Sequence, residues 1–343
     1  MHVVALVPPG STPIKRIGVE TTPVYSPFWH SSGRNHRGGI PALIRTKPQT
    51  IAKIPQALRR LHRATVDVAD SVDLFHAHWI PTRLSAYGID KPIVTTAHGA
   101  DVRMLEKLPL AAAHFVGRGP VIVATAELEK RVQALAPSTT TLRIYPVGVE
   151  PRVAPSSKPE DFRVLAIMRL APEKGVHELA EAWIKVRRAL PQATLAIVGD
   201  GPFHHQLELP GVEFIGNIHP NRIPEEIRRA SLYVQSSRDE SFGVATVEAL
   251  VHGCPVVATA TGIAAEVVDE RYGRVVPIGD PYALSVALIE LLNDPEKLLT
   301  MGQRASADFS HHFRWETVID RLLLAYESTL QYPHHSRQGR QGG

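Results

Sequence analysis

The sequence predicts an α/β protein made of two doubly wound domains, each a parallel sheet covered by helices on both faces. Three observations carry that expectation. Short apolar runs alternate with helical patterns along most of the chain, as they do when parallel strands are joined by helical crossovers. The 343 residues exceed what one hydrophobic core usually supports and divide most naturally into bodies of roughly 150 residues. The stretch GVEPRVAPSSKPEDF, residues 148–162, interrupts the alternation with Pro, Ser and charge, the composition of a linker, and places a hinge near residues 148–160.

Taken in order, the strand-like runs of the first half are VVALV, DLFHAH, PIVTTA, VIVATA and LRIYPV. Those of the second half are FRVLAIM, ATLAIVG, GVEFIG, LYVQSS, CPVVAT and GRVVP. The expected domains are residues 1–150 and 160–312, with a last helix over 314–331, RWETVIDRLLLAYESTLQ, crossing back to complete the first domain. Residues 332–343 lack apolar side chains after Tyr332 and are expected to be a disordered tail. Residues 10–50 carry many turn residues and little periodicity, so they are expected to form a long irregular loop. In doubly wound sheets ligands bind beyond the carboxyl ends of the strands, and two facing domains are expected to hold the site in a central cleft.

Composition narrows the function classes. The formal net charge of +4 and a pI near 9.2 suit an anionic small molecule or an anionic membrane surface and fall short of a nucleic-acid signature. With 44% hydrophobic and 21% charged residues, no apolar run approaches the roughly 20 residues that span a bilayer. The opening MHVVALVPPG lacks the basic region of a signal peptide and reads as a first strand. A single cysteine, Cys254, excludes an internal disulfide and a cysteine-rich zinc site. A cytoplasmic location is the expectation.

Candidate chemistry concentrates at the predicted strand ends of the second half. In MRLAPEKGVHELAEAW, Arg169 and Lys174 fall in the loop between a strand and a helix, where a bidentate guanidinium and a compact ammonium suit a diphosphate. Gly199 and Gly201, in GDGP, end the next strand and permit close backbone approach. In ESFGVATVE, Glu240 precedes a helix, Gly243 opens it and Glu248 lies in its second turn. A helix start attracts a phosphate. Carboxylates on either side of one would take hydroxyls, which is the layout of a nucleotide sugar. Each feature also has a plainer reading: a solvated charged loop, an ordinary tight turn, a helix-face ion pair, an acid favoured by the helix dipole.

Taken together, FHAHW, TTAHGADV, YPVGVE, MRLAPEKG, VGDGP and FIGNIHPNRIPEEIRRASLYVQSSRDESFGVATVEALVHGCPVVATATGIAAEVV resemble the retaining GT-B glycosyltransferases of family four, also called glycosyltransferase group 1. The resemblance implies two Rossmann-like domains and a set of roles. Arg169 and Lys174 would hold the donor diphosphate, Glu248 the ribose hydroxyls and Glu240 the transferred sugar. Phe242, Gly243 and Val244 would offer backbone groups to sugar and phosphate, Gly199 and Gly201 would lie against the nucleotide, and Ile218 would place backbone near the base. His98 would reach the donor sugar from the first domain, with His78 and Asp101 as acceptor-side candidates. The implied reaction is transfer of a hexose from a nucleoside diphosphate sugar to a hydroxyl of a glycan, a lipid-linked or a small-molecule acceptor. It needs neither metal nor cofactor, because the cations do the metal's electrostatic work.

Two departures stand out: Met168 replaces the family's glycine before Arg169, and only Gly10, Gly18 and the distant Gly38 and Gly39 are available for the first-domain glycine loop. They motivate a competing reading, a catalytically silent partner subunit that binds nucleotide or glycan. A sugar-nucleotide epimerase of the same fold matches the motifs less well. His76 and His78 share a strand face but lack a third ligand of convincing spacing, HELAE is not a His-Glu-x-x-His zinc motif, and no Asp-x-Asp occurs. Arg59, Arg60 and Arg63 on one predicted helix allow peripheral contact with the inner membrane face, against the plainer reading of a solvated helix face.

Overall fold

The structure, a computed structural model, describes residues 2–7, 20–25, 52–117, 119–150 and 160–331. Gly10, Gly18, Gly38 and Gly39, most of the 10–50 stretch, the linker centre at 151–159 and the tail at 332–343 lie outside the described residues. The chain falls into two compact units. The first comprises the chain up to Val123, Leu128–Arg143 and the residues from Leu323 onward; the second comprises Ala124–Glu127 and Ile144–Leu322.

In the first unit, β1 (His2–Val7) pairs in parallel with β2 (Glu20–Tyr25). There follow α1 (Ile54–Val68), β3 (Phe75–His78), β4 (Ile93–Thr96), α2 (Ala100–Leu105), α3 (Pro109–Val116), β5 (Val121–Val123), α4 (Ala126–Leu135) and β6 (Thr141–Arg143). Strands β3, β4, β5 and β6 form a parallel sheet in that order. Helix α1 buries Ala57, Leu61, Ala64 and Val68, spaced to form one helical stripe, and leaves Arg59, Arg60 and Arg63 exposed. Strand β2 departs from the irregular loop expected over 10–50. Pro23 masks its β-branched residues Thr21, Thr22 and Val24 at the level of sequence, yet among the described residues β2 pairs on one side only, where a missing N–H is tolerated.

The second unit runs through β7 (Arg163–Ile167), α5 (Val176–Ala189), β8 (Thr194–Val198), β9 (Val212–Gly216), α6 (Ile223–Arg229), β10 (Leu232–Gln235), α7 (Val244–Val251), β11 (Val256–Thr259), α8 (Ala264–Val267), β12 (Gly273–Val276), α9 (Pro281–Leu292) and α10 (Pro295–His312). The last helix, α11 (Trp315–Gln331), begins in this unit, and its residues from Leu323 belong to the first. The six strands are all parallel, in the order β12-β11-β10-β7-β8-β9.

Side-chain alternation along these strands feeds two cores. Val164, Ala166, Leu195, Ile197, Val234 and Val257 pack with α5 and α9 around the fully buried Trp183. Leu165, Ala196, Val198, Tyr233, Val256 and Ala258 pack on the other face with α6, α7 and α10. Burial on both faces explains why these strands read as continuous apolar runs. The strand order reverses between β7 and β10, so the crevice at their carboxyl ends is the topological switch point of this sheet.

Glycines let the strand-end loops touch. Gly199 has φ +122°, and a Cβ there would lie 1.9 Å from the carbonyl oxygen of Met168. Gly216 has φ +73° with open space around the same position. Gly199→Ala is therefore expected to cost upwards of about 3 kcal/mol, and Gly216→Ala only about 1–2 kcal/mol from backbone strain alone. Urea unfolding of the two variants checks this; equal losses would mean that the loop at Gly199 relaxes freely.

Candidate active site

At the switch point two loops are laced together. After β7 the chain makes a 3-10 turn, Pro172–Lys174, and enters α5 through Gly175 at φ 64°. A Cβ at Gly175 would sit 1.9 Å from the carbonyl oxygen of Ser236, so only glycine lets the loop after β10 pass this close. The Ser236 hydroxyl donates to the Lys174 carbonyl at 2.9 Å, and the amides of Arg238 and Asp239 both donate to the Glu173 carbonyl, at 2.9 and 3.3 Å. These contacts bring Lys174 Nζ to 2.5 Å from Glu240 Oε2, with both side chains about four-fifths buried (22% and 18% exposed). The Ser237 hydroxyl reaches the same carboxylate oxygen at 3.5 Å.

Arg169, the other expected cation, is ion-paired with Glu173. Both cations thus have carboxylate partners in the unliganded protein, and the arrangement is locally neutral. Sequence reasoning passed over Glu173, although its position four residues after Arg169 was a usable signal. It also passed over Arg238, whose guanidinium Nε donates at 2.5 Å to Glu178, an acid that is 4% exposed. That pair ties the loop after β10 to the first turn of α5.

Helix α7 opens at Gly243, φ 97°, and its first amides have no intrahelical acceptor, as at any helix start. One turn further, Glu248 is half-buried, and among the described residues its carboxylate has no hydrogen bond or ion pair. Burial pushes its pKa up from the ordinary 4.5 to about 7. The phenol of the buried Tyr233 is raised too, first by burial and then by the charges of Glu240 and Glu248.

The remaining second-unit candidates divide between exposed and packed. Val244 is exposed. Phe242 is 5% exposed, its ring belongs to the core and its carbonyl accepts from Ile263 N at 2.7 Å. Gly199 and Gly201 pack against the backbone of Met168 and Leu170, so part of their need for glycine is internal to the sheet edge. Met168 itself bonds through its amide to Val198 O at 2.9 Å and lies half-buried against the first core, so its side chain is accommodated where the resemblance expects glycine. Ile218 packs partly against the second core.

The first unit holds a histidine cluster at the carboxyl ends of β3 and β4. The rings of His76 and His78 stack at 4.3 Å between centroids, and His78 Nδ1 lies 3.3 Å from His98 Nε2. His76 is held between Tyr326 Oη at 2.6 Å and Thr96 Oγ1 at 2.7 Å. Burial, then the charges of His78 and His98, push His76 down from 6.5 to about 3. His78 is lowered by burial and His98. Asp101, expected on the acceptor side, is fully buried, and its carboxylate accepts from the amides of Ile80 (2.8 Å), His98 (3.0 Å) and Val102 (3.0 Å). Its role is to fix the loop that carries His98. Among the described residues no group of three or more His, Cys, Asp or Glu side chains has the geometry to hold a metal ion.

Residues 150–308 match the family model of the glycosyl transferases group 1. The chain is 32% identical over 173 residues to the GDP-mannose-dependent monoacylated alpha-(1-6)-phosphatidylinositol monomannoside mannosyltransferase of Corynebacterium glutamicum, covering 47% of this chain and 45% of that protein. It is 28% identical to the D-inositol 3-phosphate glycosyltransferase of Segniliparus rotundus, covering 75% of this chain and 66% of that one. The chain therefore spans about half to two thirds of the length of these relatives. Among solved structures, sucrose-phosphate synthase from Thermosynechococcus elongatus matches with a TM-score of 0.75 at 19% identity, covering 95% of this chain and 88% of that one. Anabaena Alr3699/HepE in complex with UDP and glucose matches with a TM-score of 0.69 at 24% identity, covering 90% and 86%. The fold is GT-B, as the sequence predicted.

Two titrations follow, of opposite sign. Glu248 has a raised pKa in the fold, so the folded state holds its proton more tightly than the unfolded one, and stability falls as pH rises from about 4.5 to about 7. Glu248→Gln is expected to melt higher than the wild type at pH 8, by about 3 kcal/mol, with no gain below pH ~4.5. His76 has a lowered pKa, so its contribution is complete above pH 6.5 and is lost as pH falls towards about 3. His76→Gln should remove an acid-linked loss of about 2 kcal/mol between pH ~6.5 and ~5. Melting curves across pH check both, and parallel profiles of variant and wild type would contradict the assigned titrations.

Proposed function

We propose, from the match of residues 150–308 to the family model of the glycosyl transferases group 1, that the protein moves a hexose from a nucleoside diphosphate sugar to a hydroxyl acceptor, with retention at the anomeric carbon and without a metal. The observation that carries this reading is the switch-point constellation: Lys174 and Arg169, the opening of α7 at Gly243 and the unpartnered carboxylate of Glu248. A diphosphate exchanges the carboxylate partners of the two cations for its own oxygens and takes backbone amides at the helix start. Freed from Lys174, Glu240 is available to sugar hydroxyls, and Glu248 to the ribose. Glu248 then gains hydrogen-bond donors from the ribose, which offsets the cost of its burial.

In the proposed front-face reaction the bond from the anomeric carbon to the leaving phosphate oxygen breaks first, and its electron pair stays on that oxygen. The acceptor hydroxyl attacks from the same face, and its proton passes to the leaving oxygen. No protein nucleophile is needed. Lys174 and Arg169 act by stabilising the charge that grows on the diphosphate. His98 is the first unit's candidate for contacting the transferred sugar, held in place by Asp101; His78, beside it, remains the acceptor-side candidate.

The relatives' names support a nucleotide-linked donor: one is GDP-mannose-dependent, and a structural neighbour is in complex with UDP and glucose. The acceptor is a glycan, a lipid-linked sugar or a small polyol. Among the described residues no helix is long and apolar enough to cross a membrane. A cytoplasmic reaction, with peripheral contact through Arg59, Arg60 and Arg63 when the acceptor is a lipid, remains part of the proposal.

Lys174→Ala is expected to lower turnover at least about a hundredfold while leaving the melting profile cooperative. Release of free nucleoside diphosphate from UDP-, GDP- and ADP-sugars, by transfer or by slow donor hydrolysis, is the readout. Wild-type rates in the variant would overturn the catalytic role of Lys174, and no release with any donor would favour the silent-subunit reading.

A further inference from the structure

Beside the laced loops lies a cavity of about 270 Å³ that the proposed transfer does not use. Its wall is built by Pro172, Glu173, His177, Glu178, Phe203, Gln206 and Arg238, with His177 paired to Glu181. All of these belong to the turn after β7, the first turn of α5, the segment after β8 and the loop after β10.

The lining selects a chemistry. The two acids are already compensated, Glu173 by Arg169 and Glu178 by Arg238, so no excess charge is left to attract an ion of either sign. Carboxylate oxygens still carry free lone pairs when one guanidinium is bound, and they accept from hydroxyls. Phe203, half-buried against the first core, offers an aromatic surface, with Pro172 as a second apolar contact. Gln206 Oε1 is buried and, among the described residues, has no hydrogen-bond partner. Buried acceptors are seldom left unpaired in a native protein. Gln206 lines the cavity, and the terminal torsion of a glutamine is soft, so this oxygen is the lining's candidate acceptor for an occupant's hydroxyl. A size just below the roughly 300–1,000 Å³ of drug-sized ligand sites admits one small ring.

We propose that this cavity is a carbohydrate subsite that seats one hexopyranose ring, with its C–H face on Phe203 and its hydroxyls on Gln206, Glu173 and Glu178. The subsite borders the proposed donor site without sharing its phosphate-binding groups. Glu173 and Arg238 each sit one or two residues from Lys174 and Glu240, and the Arg238 amide bonds the Glu173 carbonyl at 2.9 Å. An occupied subsite therefore stiffens the loops that pair Lys174 with Glu240.

Saturation-transfer NMR on the full chain tests this with methyl α-D-glucopyranoside and methyl α-D-mannopyranoside, with and without saturating UDP or GDP. Transfer to the ring C–H protons is expected for at least one glycoside, persisting in the presence of nucleotide. Gln206→Leu keeps the side-chain volume and removes the acceptor. It is expected to weaken binding tenfold or more, and Phe203→Ala to abolish the signal, with melting curves reporting whether each variant is folded. A short oligosaccharide of the same sugar that binds more tightly than its methyl glycoside assigns the occupant to a glycan chain; equal affinity assigns it to a free sugar. Absence of transfer in the wild type, complete displacement by nucleotide, or a signal unchanged in folded Gln206→Leu would overturn the subsite. Donor turnover, measured separately, fails or succeeds independently of this result.

Discussion

The constraint on which the second unit's chemistry depends is the close passage of two backbone loops at the reversal of the strand order. Parallel strands β7 and β10 are neighbours in the sheet although about seventy positions separate them along the chain. Their loops meet carbonyl to amide, and Gly175 is the residue that permits it, because any side chain there would collide with Ser236. The charge pairs at this sheet edge are set by that passage. Lys174 meets Glu240 because the Glu173 carbonyl holds two amides of the opposite loop, and Arg238 reaches back to the buried Glu178 because it rides on the same loop.

The electrostatics divide into paired and waiting groups. Arg169, Lys174 and Arg238 each face a carboxylate, so their charges are compensated locally. Glu248 is the exception. A half-buried acid with no donor is destabilising unless it takes up a proton, which is why its pKa rises. In the first unit the imbalance has the opposite sign: three imidazoles crowd together, and the innermost, His76, is kept neutral between Tyr326 and Thr96. The two effects oppose each other in the pH dependence of the whole protein. A flat stability profile in the wild type is thus compatible with two strongly perturbed groups.

Much of the fold was legible because strand and helix signals here are local. Runs such as RVLAI and TLAIV are buried on both faces and read as apolar without ambiguity. The strand at Glu20–Tyr25 escaped because its Pro23 argues locally against pairing, while the tolerance for that proline comes from its place at a sheet edge. Site residues followed the same division. Arg169, Lys174, Glu240 and Glu248 stood out as charges at strand and helix ends. The partners Glu173, Glu178 and Arg238 looked like ordinary surface charge, and Asp101 read as an acceptor-side candidate because a carboxylate in the first turn of a helix gives no sign in the sequence of which amides it will cap.

The sequence by itself determined the α/β class, the positions of most strands, the parallel pairing and the family resemblance, since all of these rest on residue patterns within a dozen positions. Only the tertiary structure decided which charges are spent on each other and which remain open. Pairing across the switch point joins residues sixty to seventy positions apart, and burial, which moves Glu248 to about 7 and His76 to about 3, is a property of what surrounds a side chain rather than of its neighbours along the chain.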